Sequence, residues 1–318
     1  MKIMVTGAAG FIGSNLVDRL LVDGYEVTGY DNLSTGQIRF LDKALLHDSF
    51  NFLEADLLDK DKLNDSLKGI DFVFHLAANA DVRFGLDHPY RDLEQNTIAT
   101  FNLLEAMKLN NCKKIAFSST GSIYGESSVI PTPEDAPFPI QTSLYGASKL
   151  ACEGMISAYS EGYNFQSWIF RFVSILGERY THGHVFDFYN KLSQNPNILD
   201  VLGDGEQRKS YLYINDCIDA MMLCIKKSEE KINIFNLGHD EYCQVNNSIG
   251  WICKNLELQP ELKYSGGKRG WVGDNPFIHL DNSKVKSLGW KPSLTIEEGI
   301  IKTVTFLKEN EWVFEERE

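Results

Sequence analysis

The stretch K2-IMVTGAAGFIGSNLVDRLL-V22 joins an apolar run to a helical pattern through a glycine turn. Lys2–Val5 predicts a buried strand, and apolar residues recur at helical spacing over Ser14–Val22. The turn between them contains Gly7, Gly10, Phe11, Ile12 and Gly13. Glycines let a backbone approach a pyrophosphate closely, and a helix N-terminus offers N–H groups and the positive end of a dipole. The spacing is GxxGxxG rather than the usual GxGxxG, so the turn alone is weak evidence for dinucleotide binding.

Further apolar runs of strand length follow this unit, and helical patterns separate them. The predicted strands are 26–30, 51–55, 72–76, 115–117, 168–173 and 232–237, and later helices are predicted at 185–194, 215–225, 247–255 and 294–308. Strands that alternate with helices predict an α/β fold with a Rossmann-type doubly wound parallel sheet. The alternation breaks after Ser174. We therefore predict a dinucleotide-binding domain over 1–174, with its sheet extended by 211–237, and a smaller, interleaved, mainly substrate-binding domain over 175–318.

Polar and small residues stand at the carboxyl ends of these strands, where open parallel sheets bind ligands. Asp31 ends the second strand about 20 residues after the glycines, a position that suits the hydroxyls of a ribose. Its charge would repel a 2′-phosphate, which favours NAD over NADP; the alternative is a strand-end helix cap. Further candidates for contact with the cofactor are Asn32, Asp56, Leu57, Leu76, Ala77, Ala78, Asn96 and Ser118. Asp56 is otherwise an ordinary loop acid, and Asn96 is otherwise a surface residue of a helix predicted over 92–108.

Tyr145 and Lys149 are four residues apart in the segment SLYGASKLACEG (143–154), which predicts a helix. This spacing places both side chains on one helical face. A phenol alone titrates near pH ~10, and an ammonium group close by favours the phenolate and lowers that pKa. Thr120 ends the strand in IAFSSTGSIYG (115–125), and its hydroxyl could share a proton between the tyrosine and a substrate oxygen. The three residues predict a proton-transfer site; the alternative is a pair of helix-surface neighbours.

The composition excludes several partners. The chain has 318 residues, of which 43% are hydrophobic and 24% charged, and its formal net charge is −13. The acidic balance argues against nucleic acid or an anionic membrane surface as a partner, and no apolar run is long enough to span a bilayer. The six cysteines are scattered, without a CxxC pair or a His-rich segment, so we expect free thiols in a reducing cytoplasm and no metal site.

A set of motifs resembles one family when taken together. TGAAGFIG, Asp31, HLAA, SSTGSIYG, YGASK, GDGEQRKSYLYINDC and RGWVGD are similar to the motifs of the extended short-chain dehydrogenases/reductases, in their NAD-dependent epimerase/dehydratase branch. The UDP-glucose 4-epimerase type is the most similar, and the resemblance covers nearly the whole chain. It implies that NAD accepts a hydride from C4 of a nucleotide sugar and returns it to the other face of the 4-keto sugar. NAD is then expected to stay bound between turnovers.

The resemblance implies roles for residues already named. Tyr145 is expected to take the proton of the sugar 4-hydroxyl, and Thr120 to bridge the tyrosine and that oxygen. Lys149 is expected to lower the tyrosine pKa and to bind the nicotinamide ribose. Asn96 and Phe172 are expected near the cofactor. Relatives pair the helices near 93–108 and 145–160 across a dimer interface, so a homodimer is expected, and two-fold dimers are the commonest assembly in any case.

This chain lacks the acid–base residues that are typical of two sub-branches of the family. Sugar 4,6-dehydratases carry Asp-Glu directly after the Thr, where this chain has Gly121 and Ser122. UDP-glucuronate decarboxylases carry a Glu near the position of Ser122, and it is absent as well. The residues present are compatible with epimerisation or with reduction of a 4-keto sugar. Ser122 is a candidate contact with the substrate.

The nucleotide diphosphate of the substrate needs cations. The resemblance offers Arg208 or Lys209, together with Arg269. The usual Arg-Asp pair of the family reads Lys209-Ser210 here, with Arg208 one place early, so the choice between the two cations stays open. Asp274 matches an acidic position that contacts the nucleotide ribose in relatives.

The sugar end departs from the hexose epimerases. Ser174 stands in the place of their Asn, which resembles the uronate-type epimerases. Further candidates for the sugar, some of which could supply charge, are Arg179, His182, His184 and Val185. The two histidines could equally be loop residues. UDP-glucose and UDP-glucuronate therefore both stay open as substrates, and UDP-N-acetylhexosamines are a less favoured third alternative.

Two other functions compete with epimerisation. A nucleotide-4-keto-sugar reductase would release its cofactor and prefer NADPH, which Asp31 opposes. A non-catalytic NAD-binding sensor would keep the fold, but such proteins typically lack the Tyr or the Lys, and both are present here. We therefore expect a cytoplasmic NAD-dependent 4-epimerase that acts on a UDP-hexose or a UDP-hexuronate.

Overall fold

The computed structural model of the protein describes residues 1–137, 140–267, 269–270 and 277–317, and all of their side chains except those of residues 83, 84 and 315–317. Two compact units are interleaved along the chain. The first contains Met1–Ile123, Ser143–Arg171 and Cys224–Phe235, and the second contains Tyr124–Thr142, Phe172–Leu223 and Asn236–Glu318. The chain therefore enters the second unit already at Tyr124, a crossing that the sequence-based division at residue 174 did not include.

The strands are mostly short outside one large sheet. They are β1 (Lys2–Thr6), β2 (Glu26–Asp31), β3 (Phe50–Glu54), β4 (Phe72–His75), β5 (Lys114–Thr120), β6 (Gln166–Phe172), β7 (Ser174–Leu176), β8 (Ile198–Val201), β9 (Arg208–Lys209), β10 (Tyr211–Tyr213), β11 (Ile232–Leu237), β12 (Cys243–Gln244), β13 (Glu261–Tyr264) and β14 (Phe277–Ile278). The sequence predicted β1 to β6 and β11 to within a few residues.

The helices are longest in the middle and at the end of the chain. They are α1 (Phe11–Val22), α2 (Lys60–Ser66), α3 (Val82–Asp87), α4 (Pro89–Asp92), α5 (Ala99–Leu109), α6 (Leu144–Tyr163), α7 (His184–Gln194), α8 (Ile214–Lys227), α9 (Val245–Leu256), α10 (Ser283–Ser287) and α11 (Ile296–Glu309). A π-helical segment, Leu93–Ile98, joins α4 to α5. Short 3-10 turns occur at Ile38–Leu41, Ala44–Leu46, Gly121–Tyr124 and Glu311–Arg317. The single helix predicted over 92–108 is thus interrupted by a wider turn.

The first unit is built on a parallel sheet of seven strands within the described residues, in the order β11-β6-β5-β4-β1-β2-β3. The order 3-2-1 followed by 4-5-6 is the doubly wound order of dinucleotide-binding folds, and β11 extends it at one edge. The predicted Rossmann-type α/β fold is therefore confirmed. Because Thr6 is in register with both Tyr30 and His75, the carboxyl ends of β1, β2 and β4 meet at one edge of the sheet.

The second unit uses short strands and longer helices. Its strands form a parallel pair of β10 with β7, a parallel pair of β13 with β8, and a three-stranded sheet in the order β12-β9-β14. Helices α7, α9 and α11 pack together beside them. At the end of the chain, the ring of Phe314 stacks on Phe186, with 4.4 Å between the ring centroids. Aromatic packing of this kind fixes the last described turn to the unit.

The described residues lack both a membrane-spanning helix and a metal-binding cluster. None of their helices is both long and apolar enough to cross a bilayer. They also contain no group of three or more His, Cys, Asp or Glu side chains placed to hold a metal ion.

A buried histidine joins the central strands to α5. The Nδ1 atom of His75 is hydrogen-bonded to Thr6 Oγ1 at 2.8 Å, and its Nε2 atom is hydrogen-bonded to Thr100 Oγ1 at 2.9 Å. Thr6 Oγ1 also accepts hydrogen bonds from the backbone N–H groups of Leu76 and Ala77. Burial, assisted by the charge of Lys149, lowers the pKa of His75 to about 3, so the ring is neutral in the folded protein.

Replacement of His75 tests this junction. His75→Phe fills the space but removes one hydrogen bond from each of the buried hydroxyls of Thr6 and Thr100, which keep their other partners. The free energy of unfolding should therefore fall by about 0.5–1.5 kcal/mol for each lost hydrogen bond. The histidine binds a proton near pH ~6.5 when unfolded and only near pH 3 when folded. The contribution of neutral His75 to the free energy of unfolding is therefore complete above about pH 6.5 and is lost as the pH falls toward 3. Urea unfolding at pH 7.5 and pH 5 should show a weaker pH dependence in the variant.

His47 is the matched control, because its side chain is exposed. His47→Gln should leave the free energy of unfolding at pH 7.5 nearly unchanged. Equal pH dependence of the wild-type protein and His75→Phe would show that His75 is not kept neutral by the fold.

Candidate active site

The glycine turn after β1 is pressed against the end of β4. Gly7 has φ +70°, and a Cβ atom there would lie 2.7 Å from the backbone nitrogen of Ala77. A Cβ atom on Gly13 would lie 1.9 Å from the carbonyl oxygen of Gly7. Gly10 is the N-cap of α1 in extended backbone and offers no side chain to cover the helix end. The turn therefore keeps the N–H groups at the start of α1 accessible to an anion, as the sequence predicted.

Asp31 fixes this turn from the end of β2. Its Oδ2 accepts a hydrogen bond from Ala9 N at 2.9 Å, and its Oδ1 accepts one from Leu33 N at 2.8 Å. Burial raises the pKa of Asp31, and these two N–H groups oppose the rise. The next helical turn begins only at Ile38, so the alternative of a strand-end helix cap is wrong. The carboxylate is buried and acceptor-rich, which suits ribose hydroxyls and disfavours a phosphate.

The ends of β2 and β3 are tied together beside Asp31. Asn32 Nδ2 donates to Asp56 Oδ2 at 2.8 Å, and Leu58 N donates to Asp56 Oδ1 at 2.8 Å. The hydroxyl of Tyr30 donates to the carbonyl oxygen of Asp56 at 2.9 Å. Leu57 is buried, and its carbonyl oxygen accepts from Asn102. Asp56 is therefore more than an ordinary loop acid, because it organises the segment next to the predicted ribose position.

These features fit the adenosine and pyrophosphate portions of NAD. The turn over residues 7–13, here called the glycine cradle, would be filled by any side chain at Gly7 or Gly13. It opens toward the start of α1. Asp31 supplies buried acceptors at the neighbouring strand end. Half-buried small residues, Ala77 and Ala78, follow β4 at the same edge. The residues present thus fit the cofactor that the sequence predicted.

Thr120 and Tyr145 lie together at the end of β5 and the start of α6. The Thr120 hydroxyl is hydrogen-bonded to the Tyr145 phenol, and it accepts from Ser122 N at 3.1 Å. Burial raises the pKa of Tyr145 to about 12; the bond from Thr120 lowers it, and the charges of Asp92 and Cys152 raise it. The pKa of Tyr145 is therefore raised, whereas the sequence predicted that Lys149 would lower it. The cost of burying the phenolate exceeds the stabilisation that the phenolate gains from its hydrogen bond with Thr120.

Lys149 is 2% exposed, one helical turn after Tyr145. Its Nζ donates to the carbonyl oxygen of Ser118 at 2.8 Å and lies 4.7 Å from the centroid of the Phe117 ring. Burial lowers the pKa of Lys149 to about 8, against the nearby charges of Cys152, Glu153 and Asp92. The alternative of two helix-surface neighbours is therefore wrong, since Lys149 is inside the protein. Ser118 contributes its carbonyl group to the lysine.

Asn96 is buried in the π-helical segment and is not a surface residue. Its Oδ1 accepts from Asn79 N at 2.8 Å, and its Nδ2 donates to Asn79 O at 3.2 Å and to Ser148 Oγ at 2.8 Å. Ser148 Oγ in turn donates to the carbonyl oxygen of Tyr145 at 2.8 Å. Asn96 thus holds the segment after β4 and the first turn of α6 in one arrangement.

Sequence reasoning missed Glu153, one turn beyond Lys149. Its carboxylate is buried, accepts a short hydrogen bond from Ser119 Oγ, and pairs with Arg171, whose Nη2 lies 2.8 Å from Oε2. This ion pair connects α6 to β5 and β6 in the core. The spacing of Tyr145, Lys149 and Glu153 at four-residue intervals was the available signal, since such residues share a helical face.

Arg208 and Lys209, neighbours in β9 of the second unit, have different surroundings. The Arg208 side chain is exposed, and its guanidinium carbon lies 3.9 Å from the centroid of the Phe277 ring. Lys209 is half-buried, and its charge acts on His184. Successive side chains of a strand point to opposite faces. The two cations of β9 therefore lie on different faces, and Lys209 lies on the one nearer His184.

His184 begins α7 and is held by two neighbours. Its Nδ1 is hydrogen-bonded to the Tyr211 hydroxyl at 2.7 Å, and its Nε2 to Ser248 Oγ at 2.9 Å. Burial lowers the pKa of His184 to about 3. The expectation that this residue supplies positive charge is therefore wrong, because the ring is neutral at physiological pH. The side chain of Val185 is fully buried as well, which leaves only its backbone for a ligand.

The other substrate candidates have mixed surroundings. Ser174 is exposed, and its backbone is in register with Tyr211. Arg179 is half-buried, with a positive φ of 68°. Arg269 is exposed and forms an ion pair with Glu126. Asp274 lies outside the described residues.

Comparison with known proteins identifies the class. A model of the NAD dependent epimerase/dehydratase family matches residues 3–238, and the chain belongs to this family. A putative UDP-glucose 4-epimerase of Methanocaldococcus jannaschii is 34% identical over 317 residues, which cover 97% of this chain and 99% of the relative.

Two solved structures are similar over nearly the whole chain. The UDP-glucose 4-epimerase of Thermotoga maritima, solved with UDP-glucose, has a TM-score of 0.88 at 33% identity and covers 98% of this chain and 99% of its own. The UDP-glucuronic acid 4-epimerase of Bacillus cereus, solved with UDP-glucuronic acid and NAD, has a TM-score of 0.89 at 29% identity and covers 97% of this chain and 99% of its own.

Gly13→Ala tests the cradle. The added methyl group would overlap the Gly7 carbonyl oxygen, so the turn must shift away from β4. We expect the variant to retain less than about a tenth of the NAD per protomer that the purified wild-type protein carries, a loss that corresponds to ~1.4 kcal/mol or more of binding. Release by acid and enzymatic assay of NAD measures the content. Gly250→Ala is the matched control, because that glycine lies in a helix with no atom within 4 Å of the new Cβ. Equal NAD content of Gly13→Ala and Gly250→Ala would contradict the assignment.

Proposed function

We propose that the protein is an NAD-dependent nucleotide-sugar 4-epimerase acting on a UDP-hexose or a UDP-hexuronate. The observation that carries the proposal is the hydrogen bond between Thr120 and Tyr145 beside the buried Lys149. In the same unit, the glycine cradle and Asp31 converge at the carboxyl edge of the sheet. The two similar structures solved with UDP-glucose and with UDP-glucuronic acid and NAD support the reaction class.

The side chains of the first unit can move a proton at the sugar 4-oxygen. Tyr145, as the phenolate, accepts the proton of the 4-hydroxyl and becomes the phenol, directly or through Thr120, whose hydroxyl can accept one hydrogen bond while it donates another. The positive charge of Lys149 lies close by and favours the phenolate form that can accept this proton. NAD, when bound, supplies reversible acceptance of the hydride from C4. Gly7, Gly13 and Asp31 would hold the cofactor.

The diphosphate is best matched by Lys209 among the two neighbouring cations. Arg208 already stacks on Phe277 at the surface, whereas Lys209 is half-buried near His184. Since His184 is neutral, the second unit offers a carboxylate-bearing sugar no charge from this residue. Both UDP-glucose and UDP-glucuronate therefore belong in the first assay, with Ser122, Ser174, Arg179 and Arg269 as proposed contacts.

A reductase is the second candidate, and Asp31 argues against it. The buried carboxylate already accepts two backbone N–H groups at the position where NADPH places its 2′-phosphate. A non-catalytic sensor is disfavoured because Thr120, Tyr145 and Lys149 are all present and in contact with one another or with the end of β5.

The decisive assay is NMR of purified protein with UDP-glucose and, separately, with UDP-glucuronate, in the absence of added NAD. We expect conversion of one of them to its C4 epimer. Tyr145→Phe should reduce kcat by roughly 10²–10⁴-fold, because it removes a general acid–base group. Tyr163→Phe, at the exposed end of the same helix, is the control and should be fully active. No conversion of either sugar, even with added NAD, would contradict the epimerase for both substrates.

We also propose a homodimer, on the basis of apolar side chains exposed along one stretch of the first unit. Leu86, Tyr90, Leu93 and Phe101 are all more than two-fifths exposed, with 48% for Leu93 and 44% for Phe101. Exposed apolar clusters of this kind mark protein–protein interfaces. The family resemblance of the sequence implies a dimer interface on the helices near 93–108 and 145–160, and Leu93 and Phe101 lie in the first of these ranges. A cytoplasmic location is proposed from the six free cysteines.

Phe101→Glu should break this dimer, because it buries a charge in an apolar interface. Light scattering coupled to size-exclusion chromatography should give about twice the mass for the wild-type protein as for the variant. Leu46→Glu serves as the control, since this residue is exposed in a different part of the unit and should leave the mass unchanged. A monomeric wild-type protein would refute the interface.

A further inference from the structure

Asp92 is a buried carboxylate that the proposed mechanism does not use. It ends α4 and is 1% exposed. Its Oδ1 accepts from Asn79 Nδ2 at 2.8 Å and from Asn96 Nδ2 at 3.4 Å. Its Oδ2 is buried without a hydrogen-bond partner in the described part of the chain, and it packs where a Cβ atom on Gly85 would come within 2.1 Å. A buried carboxylate oxygen left unpaired is costly, so its presence needs a reason.

Hydrogen bonds connect Asp92 to the residue that transfers the proton. Asn96 Nδ2, which reaches Asp92, also donates to Ser148 Oγ at 2.8 Å. Ser148 Oγ donates to the carbonyl oxygen of Tyr145 at 2.8 Å. The side chain of Asn79 joins the same cluster through Asp92, and its backbone is held by Asn96. The cluster thus fixes the first turn of α6 relative to the segment after β4.

In the described part of the chain, Lys149 is a buried cation without a carboxylate at hydrogen-bond distance, and the charge of Asp92 can act on it. The ammonium group of Lys149 contacts a carbonyl oxygen and an aromatic ring, and no carboxylate lies within hydrogen-bond distance of it in the described structure. Glu153 is close by, but Arg171 pairs with it. Among the side chains that the structure describes, those that donate to Asp92 are the amides of Asn79 and Asn96. Two buried, incompletely compensated charges of opposite sign stabilise each other even without direct contact.

The groups around Asp92 shift its pKa in both directions. Burial raises the pKa of Asp92, Asn79 and the charge of Lys149 lower it, and Asp81 raises it. Cys152 and Glu153 of α6, together with Asp92 of α4, raise the pKa of Lys149 against burial. The charge of Asp92 also raises the pKa of Tyr145. Arg91 and Glu94, which flank Asp92 in sequence, pair with each other at 4.0 Å on the outside.

We propose that Asp92 is a positioning residue of the proton-transfer site. Through Asn96 and Ser148 it holds the turn of α6 that carries Tyr145, and its carboxylate keeps the buried Lys149 in the ammonium form. The inference rests on the proposed epimerase function only where activity is measured; the ionisation of Lys149 can be followed without substrate.

Asp92→Asn separates charge from hydrogen bonding. The amide oxygen can still accept from Asn79 and Asn96, while the negative charge is removed. Loss of that charge should lower the pKa of Lys149 by about one unit from its value of about 8. NMR titration of 13C-labelled lysine side chains, with the Lys149 signal assigned from Lys149→Met, measures the shift. Asp87→Asn is the matched control, because it removes the same charge at an exposed position on α3 and should shift nothing.

Activity gives a second readout. The alkaline limb of the kcat profile, where Lys149 loses its proton, should move to lower pH in Asp92→Asn. A shift of one unit corresponds to a roughly tenfold loss of kcat near pH 9, with little change near pH 6.5. Ser148→Ala should lower kcat at all pH values while the Lys149 titration stays in place, because it breaks only the hydrogen-bonded connection. A purely structural role of Asp92 would reduce kcat equally at every pH and leave the Lys149 titration unmoved, and that result would overturn the proposal.

A reciprocal experiment covers the case in which Asp92→Asn does not fold. By linkage, removal of the ammonium in Lys149→Met should raise the pKa of Asp92 by the same amount. Selective 13C labelling of aspartate carboxyl groups reports this as one signal whose midpoint moves to higher pH, and Glu153 is silent in that spectrum. If no aspartate signal moves, Asp92 does not carry the counter-charge. If the wild-type protein epimerises neither sugar, the proposed function fails while both titrations still decide the role of Asp92.

Discussion

The first unit depends on a contact in which backbone touches backbone with no room for a side chain. Gly7 and Gly13 meet Ala77 and each other at distances that any Cβ atom would violate. Because the turn is pressed onto the end of β4, the start of α1, the Asp31 carboxylate and the segment after β4 meet at one edge of the sheet. A parallel sheet collects strand ends in this way, and the glycine turn keeps that edge open to a phosphate-bearing ligand.

Burial then determines the electrostatics of the proposed proton-transfer residues. It raises the pKa of Tyr145 to about 12 and lowers the pKa of Lys149 to about 8, so in both cases it favours the neutral form. A tyrosinate–ammonium pair is needed for chemistry, and the protein opposes burial with a hydrogen bond from Thr120 on one side and with acidic neighbours on the other. Burial has the larger effect on both residues, and the hydrogen bond and the acidic neighbours reduce that effect without reversing it.

The sequence predicted those features whose causes are local. Apolar runs and helical periodicity located the strands and α6, and the spacing of Tyr145 and Lys149 on one helical turn needed no tertiary knowledge. It could not show that Asn96 turns inward, because its partners are Asn79 and Ser148, the latter 52 residues away. The directions of the Tyr145 and His184 pKa shifts were also inaccessible, since they depend on burial. Local pattern predicts which residues can act, and long-range packing decides in what state they do so.

The two buried carboxylates near Lys149 divide geometry from charge. Glu153 is paired with Arg171 and bonded to Ser119, so its field is largely cancelled and its main effect is to lock α6 against β5 and β6. Among the described side chains, those that donate to Asp92 are amides, so no cation among them cancels its charge. An unpaired Glu153 would add a second uncompensated negative charge to the core, at a cost in stability. In the role that we propose for Asp92, the neutralised carboxylate of Glu153 therefore fixes α6, while the carboxylate of Asp92 keeps the nearby ammonium group charged.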